Sequence, residues 1–345
     1  MLNIIAKRKQ RWIDFYNPAK PPVCLFWMHC YPDLGARPWP YPDRTADRIA
    51  WSWRKYQTQV QQMEWLEDDS LPFLDIYTGT ELFAEAFGCQ VHYPGNDMPF
   101  ALPLVHTPQE ADRLVVPRLD NPAFARVFEI ARELRRRAGS AALVRLPDIQ
   151  SPMDIAALIW EKTAFYPALL EYPSAVLELA GKINSLLTSF LDAWFAEFGS
   201  EFIAHYPDYY VPRGITLSED EVGVVSPAVF ERFFLPELSA LSRRYGAIGM
   251  HCCANSRHQW SNFLQIPNLI LLNLIQPVKV LREAYPFFEQ FAAQMHGWYG
   301  TGPAWTWPAQ HPAGRRIIYD LSADTLDQAQ EMLEKLTPYR SFSED

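Results

Sequence analysis

Short apolar runs alternate along this chain with longer segments in which apolar residues return every three or four positions. The short runs cover 23–27, 73–76, 142–145, 214–217, 247–250, 269–272, 293–296 and 316–319. Each is too brief for a buried helix and lies between turn-forming residues, so each predicts a strand buried on both faces. Segments of helical period predict helices over 45–66, 123–137, 173–198, 227–245 and 322–336. Thr107-Pro108 with Glu110, Asn121-Pro122, Ser151-Pro152 with Asp154, and Ser226-Pro227 each put a capping side chain before a proline, which marks helix starts. Strands that alternate with helices pair in parallel, and eight of them in a chain of this length predict an α/β fold, a (β/α)8 TIM barrel. Residues 1–20 read as an N-terminal helical extension. No repeat, low-complexity block or linker interrupts the pattern, so 1–345 reads as a single domain.

Composition narrows the choice of partners. With 345 residues, 49% hydrophobic and 21% charged, the chain can bury a large core. A formal charge of -9 disfavours nucleic acid and anionic membrane surfaces, both of which are bound through clustered cations. The basic run Arg135-Arg136-Arg137 falls at the end of a predicted helix, where cations complement the dipole; Lys7-Arg8-Lys9 reads as a solvated face, and Arg315-Arg316 as a solvated turn. No apolar run approaches membrane-spanning length and no signal-peptide centre is present, so the expectation is a cytoplasmic protein acting on a small molecule. Five cysteines fit reduced thiols better than a disulfide framework. The few glycines, 15 in all, include no dinucleotide fingerprint.

In a barrel the active site lies just past the C-terminal strand ends. Those positions here read Met28-His29-Cys30-Tyr31, Asp75-Ile76-Tyr77-Thr78, Ser218-Glu219-Asp220-Glu221, His251-Cys252-Cys253, Asn273 with Gln276, His296-Gly297-Trp298-Tyr299, and Asp320. Along an extended strand, His251 and Cys253 point to one face and Cys252 to the other, so an imidazole and a thiol are offered to one metal ion. Two ligands are not a complete zinc site, which takes three protein groups or more. The aromatic, glycine-rich segment 296–308 would serve as a lid or stacking wall over a planar ligand.

The stretch 75–88, then Pro103-Leu104, Thr107–Glu110, Glu219–Gly223, Ser226-Pro227 and Phe230–Pro236, resembles the uroporphyrinogen decarboxylase superfamily over most of the chain. That resemblance implies a (β/α)8 barrel and one of two chemistries: cofactor-free decarboxylation, or zinc-dependent methyl transfer between a corrinoid protein and a thiol such as coenzyme M. The decarboxylases grip substrate carboxylates with paired arginines after the first strand. None occurs here before Arg37, although Asp75 matches the aspartate that accepts pyrrole N–H groups. The methyltransferase branch carries His-x-Cys after the fifth strand, matched by His251 and Cys253, and a second cysteine near the eighth. No cysteine follows Cys253, so Asp320 is the nominee for the third ligand, with Glu219, Asp220, Glu221, His29, Cys30 and His296 as rivals.

The resulting expectation is a zinc methyltransferase exchanging a methyl group with a corrinoid, free or on a partner protein, with metal at His251, Cys253 and Asp320. Asp75 and Asp220 are assigned to orienting the substrate. His29, Tyr31, Tyr77, Glu219, Asn273 and Trp298 are assigned to contacting it. The alternatives are a metal-free lyase centred on Asp75 and acting on a tetrapyrrole-like or other small acid, and a non-catalytic corrinoid- or porphyrin-binding barrel. Oligomeric state is open, a homodimer being one option.

Overall fold

The computed structural model describes residues 2–288, 301–311 and 315–340 and the backbone of 293–296. Every predicted run contains a strand: Cys24–His29, Phe73–Leu74, Leu143–Val144, Ile215–Ser218, Ile248–Cys252, Leu269–Leu274, Ala293–His296 and Ile317–Ser322. Four two-residue strands that the pattern did not announce, because their runs are too short, add two antiparallel pairs: Val91–His92 with Phe100–Ala101, and Phe202–Ile203 with Tyr210–Val211. Six strands form one parallel sheet in which the first, Cys24–His29, lies beside the last, Ile317–Ser322. From there the order continues through Ala293–His296, Leu269–Leu274 and Ile248–Cys252 to Ile215–Ser218. Phe73–Leu74 pairs in parallel with Leu143–Val144, and single parallel bridges join Arg145 to Ile203 and Gln150 to Ser218. The fold is therefore a mixed helix and strand architecture with a parallel wall. The ladder does not close among the described residues.

One break in the ladder has a chemical reason. Beside the first strand, carboxylates take the place of a neighbouring backbone: Phe26 N–H donates to Asp69 Oδ2 (2.9 Å) and Met28 N–H to Asp68 Oδ2 (3.1 Å). These buried acids are neutralised by the N-terminal helix Leu2–Tyr16, through Arg8 to Asp68 (2.7 Å) and Arg11 to Asp69 (2.5 Å). Trp12 donates to Asp69 O at 2.8 Å, and both Trp12 and Phe15 are fully buried. The predicted solvated face at 7–9 is thus wrong for Arg8, which is buried, and Arg316 is likewise buried and donates to Phe15 O. Both arginines serve to dock the extension.

The helices start where the caps predicted. Thr107 and Glu110 form a capping box, and Asn121, Ser151 and Ser226 each accept a backbone N–H of the following turn. The segment 227–245 is one predicted helix but three pieces, with a π turn at Phe230–Phe234 before Leu235–Tyr245. Ser322 belongs to the last strand, and Thr325 caps the helix Leu326–Leu336. Gly214, at φ +116, lets two strand starts approach: a Cβ there would stand 2.6 Å from Ala247 O. One cluster of buried apolar side chains extends from Trp12 to Leu336. No helix among the described residues is long and apolar enough to cross a membrane.

Candidate metal centre

Parallel pairing brings the C-terminal ends of Ile215–Ser218, Ile248–Cys252 and Leu269–Leu274 together. As the strand alternation predicted, His251 and Cys253 share a face, and the donor atoms of Asp220, His251 and Cys253 all lie within 4.8 Å of one another. His251 Nδ1 meets Asn273 Oδ1 at 2.5 Å; the amide oxygen only accepts, so Nδ1 carries the proton and the Nε2 lone pair is free for a cation. Burial, opposed by Asn273 and Asp220, holds the His251 pKa below its ordinary value, so the ring is neutral at pH 7. The Cys253 backbone N–H donates to Asp220 Oδ1 at 2.6 Å. Burial and then the Asp220 charge push the Cys253 thiol up to about 12, so it gives up its proton only when a cation compensates.

The donor set fits zinc: one imidazole nitrogen, one sulfur and one carboxylate, with the fourth position left for water or substrate. Tetrahedral bonds of about 2.0–2.3 Å put ligand atoms about 3.4–3.8 Å apart, so contraction of about 1 Å from the observed spread completes the geometry. Beneath these loops, Asp154 accepts the backbone N–H groups of Asp220 (2.6 Å) and Glu221 (3.0 Å). Burial pushes Asp154 up to about 7, and burial with the Asp154 charge raises Glu219 well above the carboxylate range.

A cavity of about 340 Å³ opens beside the triad, lined among others by Asp220, His251, His205 and Tyr206. Tyr206 meets the His251 ring edge-on at 4.8 Å. His205 Nε2 stands 3.0 Å from Ser218 Oγ and 3.3 Å from Asp148 Oδ1; burial keeps it well below its ordinary pKa and therefore neutral. Asp148 is pushed up to about 7 by burial, against the pull of Arg145. Arg37 and Arg145 face the cavity too. Behind them, Asp75 is completely buried and contacted by Arg145 (2.7 Å), Lys55 (2.8 Å) and Arg37 (3.4 Å), and Asp208 contacts Arg145 (3.1 Å) and Lys55 (3.5 Å). Burial alone would raise the Asp75 pKa, but the three cations outweigh it and hold the carboxyl well below its ordinary value. The Arg37 guanidinium also lies 3.5 Å over the Tyr77 ring.

Several sequence assignments change place. Asp220 takes the position given to Asp320, which instead pairs with His29 at 2.6 Å, away from the triad. Asn273 orients His251 and is not a free substrate contact. Glu219 is buried beneath the loop, and Asp75 is sealed behind the arginines. Tyr31 accepts from Gln59 at 3.1 Å and lines a different cleft, whereas Tyr77 does line the cavity. Trp298 lies outside the described residues, as does the His296 side chain. Asp148, His205 and Arg145 were missed. The strand-end rule would have found Asp148 had it been applied to the third strand, and His205 follows the short strand at Phe202–Ile203 that the pattern did not reveal.

Fold and site together describe a mixed helix and strand protein with an imidazole, a thiol and a carboxylate clustered at the ends of its parallel strands. The family model of uroporphyrinogen decarboxylase (URO-D) matches residues 68–274, and the chain belongs to that family. A solved methyltransferase from Methanosarcina mazei has a similar fold, with a TM-score of 0.66 at 13% identity over 96% of this chain and 98% of that one. No curated protein matches the sequence.

Proposed function

We propose that this chain is a URO-D-family methyltransferase that holds zinc at His251, Cys253 and Asp220. It would move a methyl group between a corrinoid, free or carried by a partner protein, and a thiol or related small acceptor. The observation that carries this reading is the convergence of three unlike donors on one point beside a cavity. The fold of the Methanosarcina mazei methyltransferase supports it. Zinc bound there would lower the pKa of an acceptor thiol so that it stays a thiolate near neutrality. His251 offers Nε2 because Asn273 occupies the other ring nitrogen, and Cys253 releases its proton as it binds. Asp148, poised near pH 7 in the same cavity, has the basicity of a proton acceptor. Arg37 and Arg145 line the same cavity, and on that basis the acceptor is read as carrying an anionic group. We further read the parallel strands as the wall of a closed (β/α)8 barrel spanning a single domain, since the first and last lie side by side.

The test is methyl transfer from methylcobalamin to short thiols bearing a carboxylate or sulfonate, using zinc-loaded protein. His251→Ala and Cys253→Ser should abolish it, and full transfer by either variant would refute the assignment. The metal-free lyase reading gives Asp75 the central role, but that carboxylate is sealed from the cavity by its three cations. Release of carbon dioxide from an acid substrate by metal-free protein would restore it.

A further inference from the structure

Asp154 does not line the cavity, yet it anchors the loop that carries Asp220. It is the third residue of the helix Pro152–Ile159, where an acidic side chain usually reaches back to its own helix start. Here the Ser151 hydroxyl caps the helix, and both Asp154 oxygens turn to another loop, accepting the N–H groups of Asp220 at 2.6 Å and Glu221 at 3.0 Å. Asp220 in turn accepts the N–H of Cys253 at 2.6 Å. The two loops also meet directly: a Cβ on Gly223 would stand 2.5 Å from the Ala254 Cβ. Gln276 holds the far side by donating to Ala254 O at 3.0 Å.

We infer that Asp154 is a positioning residue that sets the Asp220 carboxylate against Cys253 and His251, so that the ligand set is assembled before the ion arrives. This rests on the metal reading above. Replacing a carboxylate by an amide tests it sharply, because the amide nitrogen of Asp154→Asn cannot accept the second N–H. Partners that orient metal ligands typically change affinity about 10–100-fold when lost.

The experiment is titration with cobalt(II), and with zinc in competition, of the full chain and of Asp154→Asn, Gly223→Ala and Glu237→Gln, with folding followed by circular dichroism. Glu237 is the control: a half-buried carboxyl that accepts the N–H of Met153 from the Asp154 helix and makes no bond to either ligand loop. Asp154→Asn should bind about 10–100-fold more weakly, with altered ligand-field bands because the carboxylate has moved. Gly223→Ala should weaken binding by forcing the loops apart without touching any acid, and it carries the test if Asp154→Asn fails to fold. Glu237→Gln should keep the affinity and spectrum of the unsubstituted protein. Equal affinities for Asp154→Asn and the unsubstituted chain would overturn the inference alone, as would an equal loss in Glu237→Gln. No cobalt binding by the unsubstituted chain would refute the metal reading and this inference with it.

Discussion

Asp75→Asn removes the charge on which Lys55, Arg145 and Arg37 converge. At an effective dielectric constant of about 20, unit charges about 2.8 Å apart attract by about 6 kcal/mol, and Asp75 makes two such contacts and one longer one. Most of that attraction offsets desolvation, which costs several kcal/mol for each buried ion. What remains after substitution is the unfavourable part: Lys55 and Arg145 stay buried with Asp208 as their shared acid. Breaking a buried pair in this way costs about 3–5 kcal/mol, and that is the loss expected in guanidinium unfolding followed by tryptophan fluorescence, read as a lower midpoint at unchanged slope. The pH dependence is also determined. The folded pKa of Asp75 is depressed, so its contribution is complete above the unfolded value of about 3.9 and is lost as pH falls through the folded pKa. The gap between the two proteins should therefore be constant from about pH 5 to 8 and narrow only in stronger acid. A loss below about 1 kcal/mol, or a gap that changes between pH 6 and 8, would refute the ion-pair account.

Asp220→Asn should lose metal and Asp320→Asn should keep it, measured by elemental analysis; the reverse would return the third ligand to the last strand. Asn273→Ala frees the His251 ring and should weaken zinc binding about 10-fold in a chelator competition, with little effect on the melting temperature. For His29, burial lowers the pKa, but the Asp320 charge and hydrogen bond prevail and raise it above 6.5. Its stabilisation is complete below the unfolded pKa and is lost as pH rises through the folded one, so His29→Gln should depress melting more at about pH 5.5 than at about pH 9. An equal depression at both would show that the His29–Asp320 pair carries no charge.

Strands and caps were legible because each is a local signal. A buried parallel strand needs an unbroken apolar run, and a helix start needs a hydroxyl or amide side chain at one position. Phe202–Ile203 escaped because two residues make no pattern, and with it went His205 and Tyr206. His251 and Cys253 were legible from alternation alone. The carboxylate beside them was not, because Asp220 and Asp320 both follow strands and only the spatial order of those strands separates them: Ile215–Ser218 is the direct neighbour of Ile248–Cys252, whereas Ile317–Ser322 lies beyond two others. The burial of Asp75, assigned to orienting the substrate, was not legible for a related reason. Its partners Lys55 and Arg145 come from distant segments, and only the fold reveals that they close over it.

The most direct test of the metal centre is the zinc content of protein purified without added metal, beside Cys253→Ser prepared in the same way. About one zinc per chain in the unsubstituted protein, and loss of it in the variant, is the predicted result. Protein that takes up no zinc even after reconstitution under reducing conditions, or a Cys253→Ser variant that binds it equally well, would contradict the account.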